Sequence, residues 1–318
     1  MSRSTIVRAY VLAAVAAGLL AAAVPSPATA ATFKSGFATY VSTSASLAAG
    51  TGGQVTATCP APRRLSGVGA TIAGPAITSS PSSRIAASYP ADGPDPDIDP
   101  DDVAVAKLHN GHSATAFGRA DAICLAGGAG GSNLAYQSAP SAFNPFTGSS
   151  GTGQVSTCPG TRIVGGGQRI TGLASEESLR GNGPNVMSNG KVDSTAWQTT
   201  FNVNGSPASP HSAFVHGICL GGSKLKLRYR YATRVLFADQ VKAARARCPG
   251  KKRAKKKNRW RVIGGGWQGV AGEILVSRPF DSRDRGKAPD NGWLVRAHQF
   301  AGGRPLALVS FAICAKRR

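Results

Sequence analysis

Acidic side chains are scarce: 15 Asp+Glu stand against 37 Lys+Arg in 318 residues, and glutamate occurs only at Glu176, Glu177 and Glu273. Methionine is nearly absent, with 2 residues, and histidine is confined to His109, His112, His211, His216 and His298. No G-x-S-x-G, H-E-x-x-H or paired-carboxylate frame organises these few acids and bases, so the sequence offers no catalytic constellation. His109 and His112 flank a turn, but a zinc site there would need further ligands. A second long apolar run is also missing, which excludes a polytopic helical membrane protein. Charged residues make up only 16% of the chain, too few for a self-repelling disordered polymer.

The single long apolar stretch is N-terminal. Arg3 and Arg8 precede an Ala/Val/Leu run from Ala9 to Val24, Pro25 and Pro27 break it, and Ala28-Thr29-Ala30 fits the small-x-small cleavage rule. Residues 1–30 are therefore expected to be a secretory signal, with no transmembrane span remaining after its removal. The expected location is outside the membrane, either secreted free or retained at the cell wall, where thiols oxidise.

What is abundant is glycine (40), proline (20) and regularly spaced cysteine. The cysteines lie at 59, 124, 158, 219, 248 and 314. Cys59-Pro60, Cys158-Pro159-Gly160 and Cys248-Pro249-Gly250 open three matching blocks. Glycines follow in each: Gly67 and Gly69, then Gly165-Gly166-Gly167, then Gly264-Gly265-Gly266. The blocks close on Ala122-Ile123-Cys124, Gly217-Ile218-Cys219 and Ala312-Ile313-Cys314. Such a period identifies an internal repeat, here 31–130, 131–223 and 224–318. Six cysteines permit 15 connectivities, but the repetition selects Cys59–Cys124, Cys158–Cys219 and Cys248–Cys314.

Within each repeat the signals are those of strands. Val103–His109 precedes Asn110-Gly111, and Trp197–Val203 precedes Asn204-Gly205, which predicts a β-hairpin ahead of each closing strand. Gly302-Gly303 replaces that pair in the third repeat, and Leu306–Cys314, apolar on both faces, should be a central strand. The glycine clusters lack the spacing of a phosphate loop and are expected to mark a bulge or a close backbone crossing. The predicted fold is all-β: three tandem disulfide-bridged antiparallel repeats, each a small sandwich. One closed body of pseudo-threefold symmetry, such as a β-prism, is the alternative.

The charge is lopsided. From Ala31 to Ser223 there are 10 cations and 10 anions; from Lys224 to Arg318 there are 25 and 5, a net +20. Lys224, Lys226, Arg228 and Arg230 alternate with Leu225, Leu227, Tyr229 and Tyr231, which places the cations on one face of a strand. The distance from opening cysteine to glycine is 8 and 7 residues in the first two repeats but 16 in the third. The added loop carries Lys251, Lys252, Arg253, Lys255, Lys256, Lys257, Arg259 and Arg261. Such a surface takes up polyanions by displacing their counterions. Anionic wall polymer, acidic polysaccharide, nucleic acid and lipid headgroups are the candidate partners, and Trp260 or Tyr229 could stack on a ring. The acidic counterpart is Asp92–Asp102, where Asp95, Asp97, Asp99 and Asp101 alternate in the manner of calcium ligands; no EF-hand Gly or Glu completes them, so no metal site is assigned. No cofactor motif is present.

The Cys-Pro-Gly opening, glycine triplet, later Trp and closing Ala-Ile-Cys resemble repeats of uncharacterised secreted proteins from high-GC Gram-positive bacteria. The first repeat departs from this pattern, with Ala61 after Pro60 and no Trp. The resemblance implies export and an all-β unit, and carries no known activity. The sequence thus points to a non-enzymatic exported binding or envelope-associated protein. A carbohydrate-binding module or adhesin using Trp197, Trp267 and Trp293 is the second reading, and a secreted hydrolase the third.

Overall fold

The computed structural model describes residues 29–74, 83–93, 99, 101–129, 131–140, 150–155, 158–171, 177–186, 191–203, 212–222, 224–250, 259–269, 272–281, 288–299, 302 and 304–318. Nearly all of it is strand, as the sequence predicts. The first unit contributes β1 (Thr29–Ser35), β2 (Ala38–Leu47), β3 (Gly52–Thr58), β4 (Arg64–Ala73), β5 (Arg84–Ala91), β6 (Val103–His109) and β7 (Ala116–Leu125). The second contributes β8 (Leu134–Pro140), β9 (Ser150–Val155), β10 (Arg162–Thr171), β11 (Glu177–Val186), β12 (Val192–Val203) and β13 (Ser212–Leu220). The third contributes β14 (Leu225–Leu236), β15 (Val241–Arg247), β16 (Arg261–Gln268), β17 (Glu273–Phe280), β18 (Gly292–His298) and β19 (Leu306–Arg317). No helix among the described residues is long and apolar enough to cross a membrane.

The three units are not separate sandwiches. Each of the three sheets is built from two units, four strands plus three in the first and three plus three in the others: β1-β2-β7-β4 joins β17-β18-β15, β8-β13-β10 joins β5-β6-β3, and β14-β19-β16 joins β11-β12-β9. The joining contacts run in a cycle. Strand β4 of unit 1 meets β17 of unit 3, β10 of unit 2 meets β5 of unit 1, and β16 of unit 3 meets β11 of unit 2. The result is the closed pseudo-threefold body that was the alternative expectation. A repeat that lends three of its strands to a neighbour's sheet cannot complete a core alone, and one apolar cluster accordingly draws on all three units.

The glycine clusters explain why the cycle can close. Strands β4, β10 and β16 each carry a register shift just before their glycines, at Leu65/Gly67, Ile163/Gly165 and Val262/Gly264. There the three backbones converge. A Cβ on Gly67 would lie 2.8 Å from Ile263 O, one on Gly165 would lie 2.2 Å from Ser66 O, and one on Gly264 would lie 1.9 Å from Val164 O. Bulge and close crossing, both expected from sequence, occur together at the pseudo-threefold centre.

A ring of tyrosines locks the same centre. Tyr40 on β2 donates to Val262 O at 2.8 Å, Tyr136 on β8 to Leu65 O at 2.7 Å, and Tyr229 on β14 to Ile163 O at 2.7 Å. Each hydroxyl crosses to a different unit and satisfies the carbonyl of the residue before the bulge, which a continuous ladder would otherwise serve. Burial raises all three phenols well above their ordinary range. Tyr229 is therefore committed to the fold, not free to stack on a ligand.

The missing tryptophan of the first unit has a partner change. Trp197 and Trp293 pack over Gly166 and Gly265, where an added Cβ would lie 2.7 and 2.3 Å from the indole rings. In unit 1 the equivalent positions are Ala104 and Val68, so volume removed from one strand is returned on the other. Both indoles are satisfied: Trp197 Nε1 donates to Asn182 Oδ1 at 2.7 Å and Trp293 Nε1 to Ser277 Oγ at 2.9 Å.

All three disulfides form as the repetition selects, Cys59–Cys124, Cys158–Cys219 and Cys248–Cys314. Each ties a residue just past β3, β9 or β15 to β7, β13 or β19, which belong to a neighbouring sheet. The cross-links therefore join sheet to sheet.

The predicted hairpin at Asn110-Gly111 is absent, because β6 pairs with β3 and β5 while β7 lies in another sheet. Asn110 serves as a buried corner. Its Nδ2 donates to the carbonyls of Leu47, Ala48 and Ala114 at 3.2, 3.0 and 2.9 Å, and its Oδ1 accepts from His112 N at 3.2 Å. A side chain that satisfies four backbone groups fixes a sheet-to-sheet bend that a two-residue turn could not make. Asn204-Gly205 lies outside the described residues, but the flanking strands β12 and β13 belong to different sheets, as do β18 and β19, so the expected hairpin is absent from all three repeats. Strand β19 is central in its sheet, as the apolar run predicts.

Candidate anion-binding face

Strand β14 is the free edge of its sheet, and its alternation is realised: Lys226, Arg228 and Arg230 are exposed, Leu225 is buried, and Leu227 and Tyr229 are half-buried. The partner strand β19 ends in Lys316, Arg317 and Arg318, and the register sets Lys226 directly opposite Lys316. Like charges opposed across a ladder repel, at a cost on the order of 0.2–1 kcal/mol. The ladder continues past the strand, with Arg318 N donating to Lys224 O at 2.9 Å, so Lys224 joins the group.

Trp260 sits among these cations. Arg228 Cζ lies 5.2 Å and Lys316 Nζ 5.3 Å from its ring, so the half-buried indole holds two positive charges at the surface by cation–π attraction. Further along β14, Arg234 is exposed, and Tyr231, Val235 and Phe237 are exposed apolar groups on the same edge. Among the described residues, no carboxylate forms an ion pair with Lys224, Lys226, Arg228, Arg230, Arg234, Lys316, Arg317 or Arg318. The described acids of unit 3 are engaged elsewhere: Asp290 faces Arg261, Glu273 faces Arg84, Asp239 faces His298 and Asp281 accepts from Asn291 Nδ2.

Two residues of the predicted basic loop do not belong to this face. Arg261 is buried, with Nε donating to Ser35 Oγ at 2.7 Å and lying 3.5 Å from Asp290 Oδ2. Its guanidinium is the first residue of β16 and holds β1 and the β17–β18 connection, so it is a structural cation. Arg259 is half-buried and donates to Asn291 Oδ1 at 3.0 Å. Lys251, Lys252, Arg253, Lys255, Lys256 and Lys257 lie outside the described residues.

Five cations on the face were not singled out by sequence pattern: Arg234, Lys316, Arg317, Arg318 and Arg162. Lys316 is brought beside Lys226 only by strand register. Arg162 belongs to unit 2, and a cleft of about 520 Å³ brings it together with Thr161, Leu225, Lys226, Leu227 and Arg318. Alignment of the strand-opening residues Arg64, Arg162 and Arg261 would have drawn attention to it.

The other sequence candidates have structural duties. Trp197, Trp267 and Trp293 are 0%, 1% and 0% exposed, so none can stack on a sugar. Asp101 is buried and its Oδ2 lies 2.7 Å from Arg64 Nε; Asp99 is exposed, and Asp95 and Asp97 lie outside the described residues. Among the described residues no group of three or more His, Cys, Asp or Glu could hold a metal ion. The perturbed titratable groups are dispersed. Burial pushes the Glu273 carboxyl up to about 8, with Arg84 at 3.9 Å pulling the other way. Burial, then the charge of Arg169, pushes His216 down to about 4, where it stacks on Tyr89. These two lie at different unit junctions, on strands β17 and β13 of different sheets.

Compared with known proteins, the chain matches no family model and no curated protein.

Proposed function

We propose that the chain is an exported, non-enzymatic protein that attaches through its third unit to anionic polymer at the cell envelope. The observation that carries this reading is the set of cations on β14 and β19 that no acid among the described residues neutralises, with Lys226 held opposite Lys316 on a body whose other two units are together charge-balanced. A protein gains no stability from opposing like charges on an edge strand; a bound polyanion would relieve that repulsion and release its own counterions. Residues 251–258, which precede Arg259 and Trp260 in sequence, add six cations to the same unit. The signal-like N-terminus and three disulfides support an oxidising, external compartment.

The test is retention on a phosphate-rich wall fraction across a salt series. Replacing Lys226, Arg228 and Arg230 by Gln should weaken retention and flatten its salt dependence, by roughly one unit of log–log slope per lost contact. Deleting 251–258, which spares Arg259 and Arg261, should do the same. Retention that ignores salt and both changes would refute the reading.

A further inference from the structure

The pseudo-threefold arrangement allows each side chain to be compared with its two counterparts, and one arginine stands apart. Arg64, Arg162 and Arg261 occupy the same position, opposite Leu125, Leu220 and Ala315 at the start of their glycine strands. Two are neutralised from within. Arg64 Nε lies 2.7 Å from Asp101 Oδ2, and Arg261 Nε lies 3.5 Å from Asp290 Oδ2. Counting back three residues from the paired positions Ala104, Trp197 and Trp293 places Asp101 and Asp290 at one site of the repeat, and there unit 2 has Ser194.

The neighbouring acid does not compensate. Asp193 Oδ1 accepts from Thr195 N at 2.9 Å and from Thr195 Oγ1 at 2.7 Å. No carboxylate among the described residues forms an ion pair with Arg162, which is exposed where Arg261 is buried. Arg162 instead lines the cleft between units 2 and 3, with Thr161 beside it, Lys226 and Arg318 as further cations, and Leu225 and Leu227 as apolar wall. A planar guanidinium with two more cations beside it suits a tetrahedral oxyanion, which it can engage through two parallel N–H donors.

We infer that this cleft is a binding site for a single phosphate group, taking the place that an internal carboxylate holds in the other two units. The inference rests on the polyanion reading above and deepens it: the β14–β19 face supplies diffuse attraction, while the Arg162 cleft selects a phosphate. The same chemistry is offered by a phosphodiester in a wall polymer and by free inorganic phosphate.

Calorimetric titration of the full disulfide-bonded chain at low salt, with inorganic phosphate in one arm and a short glycerol-phosphate oligomer in the other, tests it. Binding of the oligomer alone identifies a chain phosphodiester as the occupant, equal binding of both shows that one phosphate suffices, and binding of neither overturns the site. Ser194→Asp restores the acid of the other two units without removing a cation, and should weaken phosphate binding at least tenfold, whereas Ser194→Asn should leave it near wild type. Arg162→Gln, at an exposed position, should reproduce the loss independently of how Ser194→Asp folds. Binding unchanged in both Ser194→Asp and Arg162→Gln overturns the proposal. Deletion of 251–258 should leave phosphate binding intact while reducing wall retention, so failure of the cleft and failure of the wider polyanion reading are read in different assays.

Discussion

Replacing the three central glycines by alanine, one at a time, gives a graded test of the closed body. Without steric conflict, alanine in a strand is better than glycine by roughly 0.5–1 kcal/mol, because it restricts the unfolded chain. Here the new methyl would meet backbone oxygen of the next unit at 2.8 Å for Gly67, 2.2 Å for Gly165 and 1.9 Å for Gly264. Carbon and oxygen settle at about 3.3–3.6 Å, so the neighbouring strand must retreat by roughly half an ångström at Gly67 and by more than about 1 Å at the other two. Each obstacle is main chain in the same three-way junction, so no side chain can rotate out of the way. Overpacking of this kind costs roughly 1–3 kcal/mol, the range expected for Gly67→Ala, with Gly165→Ala and Gly264→Ala at or above its upper end. Denaturant midpoints of the disulfide-intact protein, followed by the fluorescence of buried Trp197, Trp267 and Trp293, measure the series. A neutral or stabilising effect at Gly264, or an order in which Gly67→Ala is worst, would contradict the packing argument.

The same centre predicts that Tyr40→Phe, Tyr136→Phe and Tyr229→Phe each cost about 1–2 kcal/mol, because each strands a carbonyl in the interior; thermal unfolding checks this. Stability should also fall on both sides of mildly acidic pH. Burial raises Glu273 from 4.5 to about 8, so the fold binds its proton more tightly than the unfolded chain and loses stability as pH rises through that window. His216 is lowered from 6.5 to about 4, so stability is lost as pH drops through that interval. Glu273→Gln should flatten the alkaline limb and His216→Phe the acid one in midpoints recorded from pH 4 to 9. Reducing the disulfides, whose closed loops span 61 to 66 residues, removes roughly 4 kcal/mol of unfolded-state constraint each, and a stepwise fall in melting temperature with each Cys pair replaced by Ser would register it. Because the sheets are shared, a chain truncated after residue 223 should lack a cooperative unfolding transition, which calorimetry would show.

The repeat, the strands, the cysteine pairing and the excess of cations in unit 3 were all legible in the residues, because each rests on local spacing or on counting. Even the glycines announced a bulge and a close crossing. The tyrosine ring was legible in principle, since Tyr40, Tyr136 and Tyr229 recur at similar intervals, but no local pattern says that a hydroxyl reaches another unit. The hairpin expectation failed at Asn110 for a related reason: turn chemistry favours a bend without stating which strands it joins. Arg261 was misplaced because a cation in a basic run looks exposed until Ser35 and Asp290, distant in sequence, arrive beside it.

Sequence alone determined the elements of this protein, since periodicity, cysteine spacing and charge are properties of neighbours along the chain. Tertiary structure decided how the units share sheets, which arginines are neutralised and where Arg162 is left without an acid among the described residues. Those outcomes depend on contacts between residues well separated along the chain, within one unit for Arg64–Asp101 and Arg261–Asp290 and across the pseudo-threefold centre for the glycines, which composition and period do not encode.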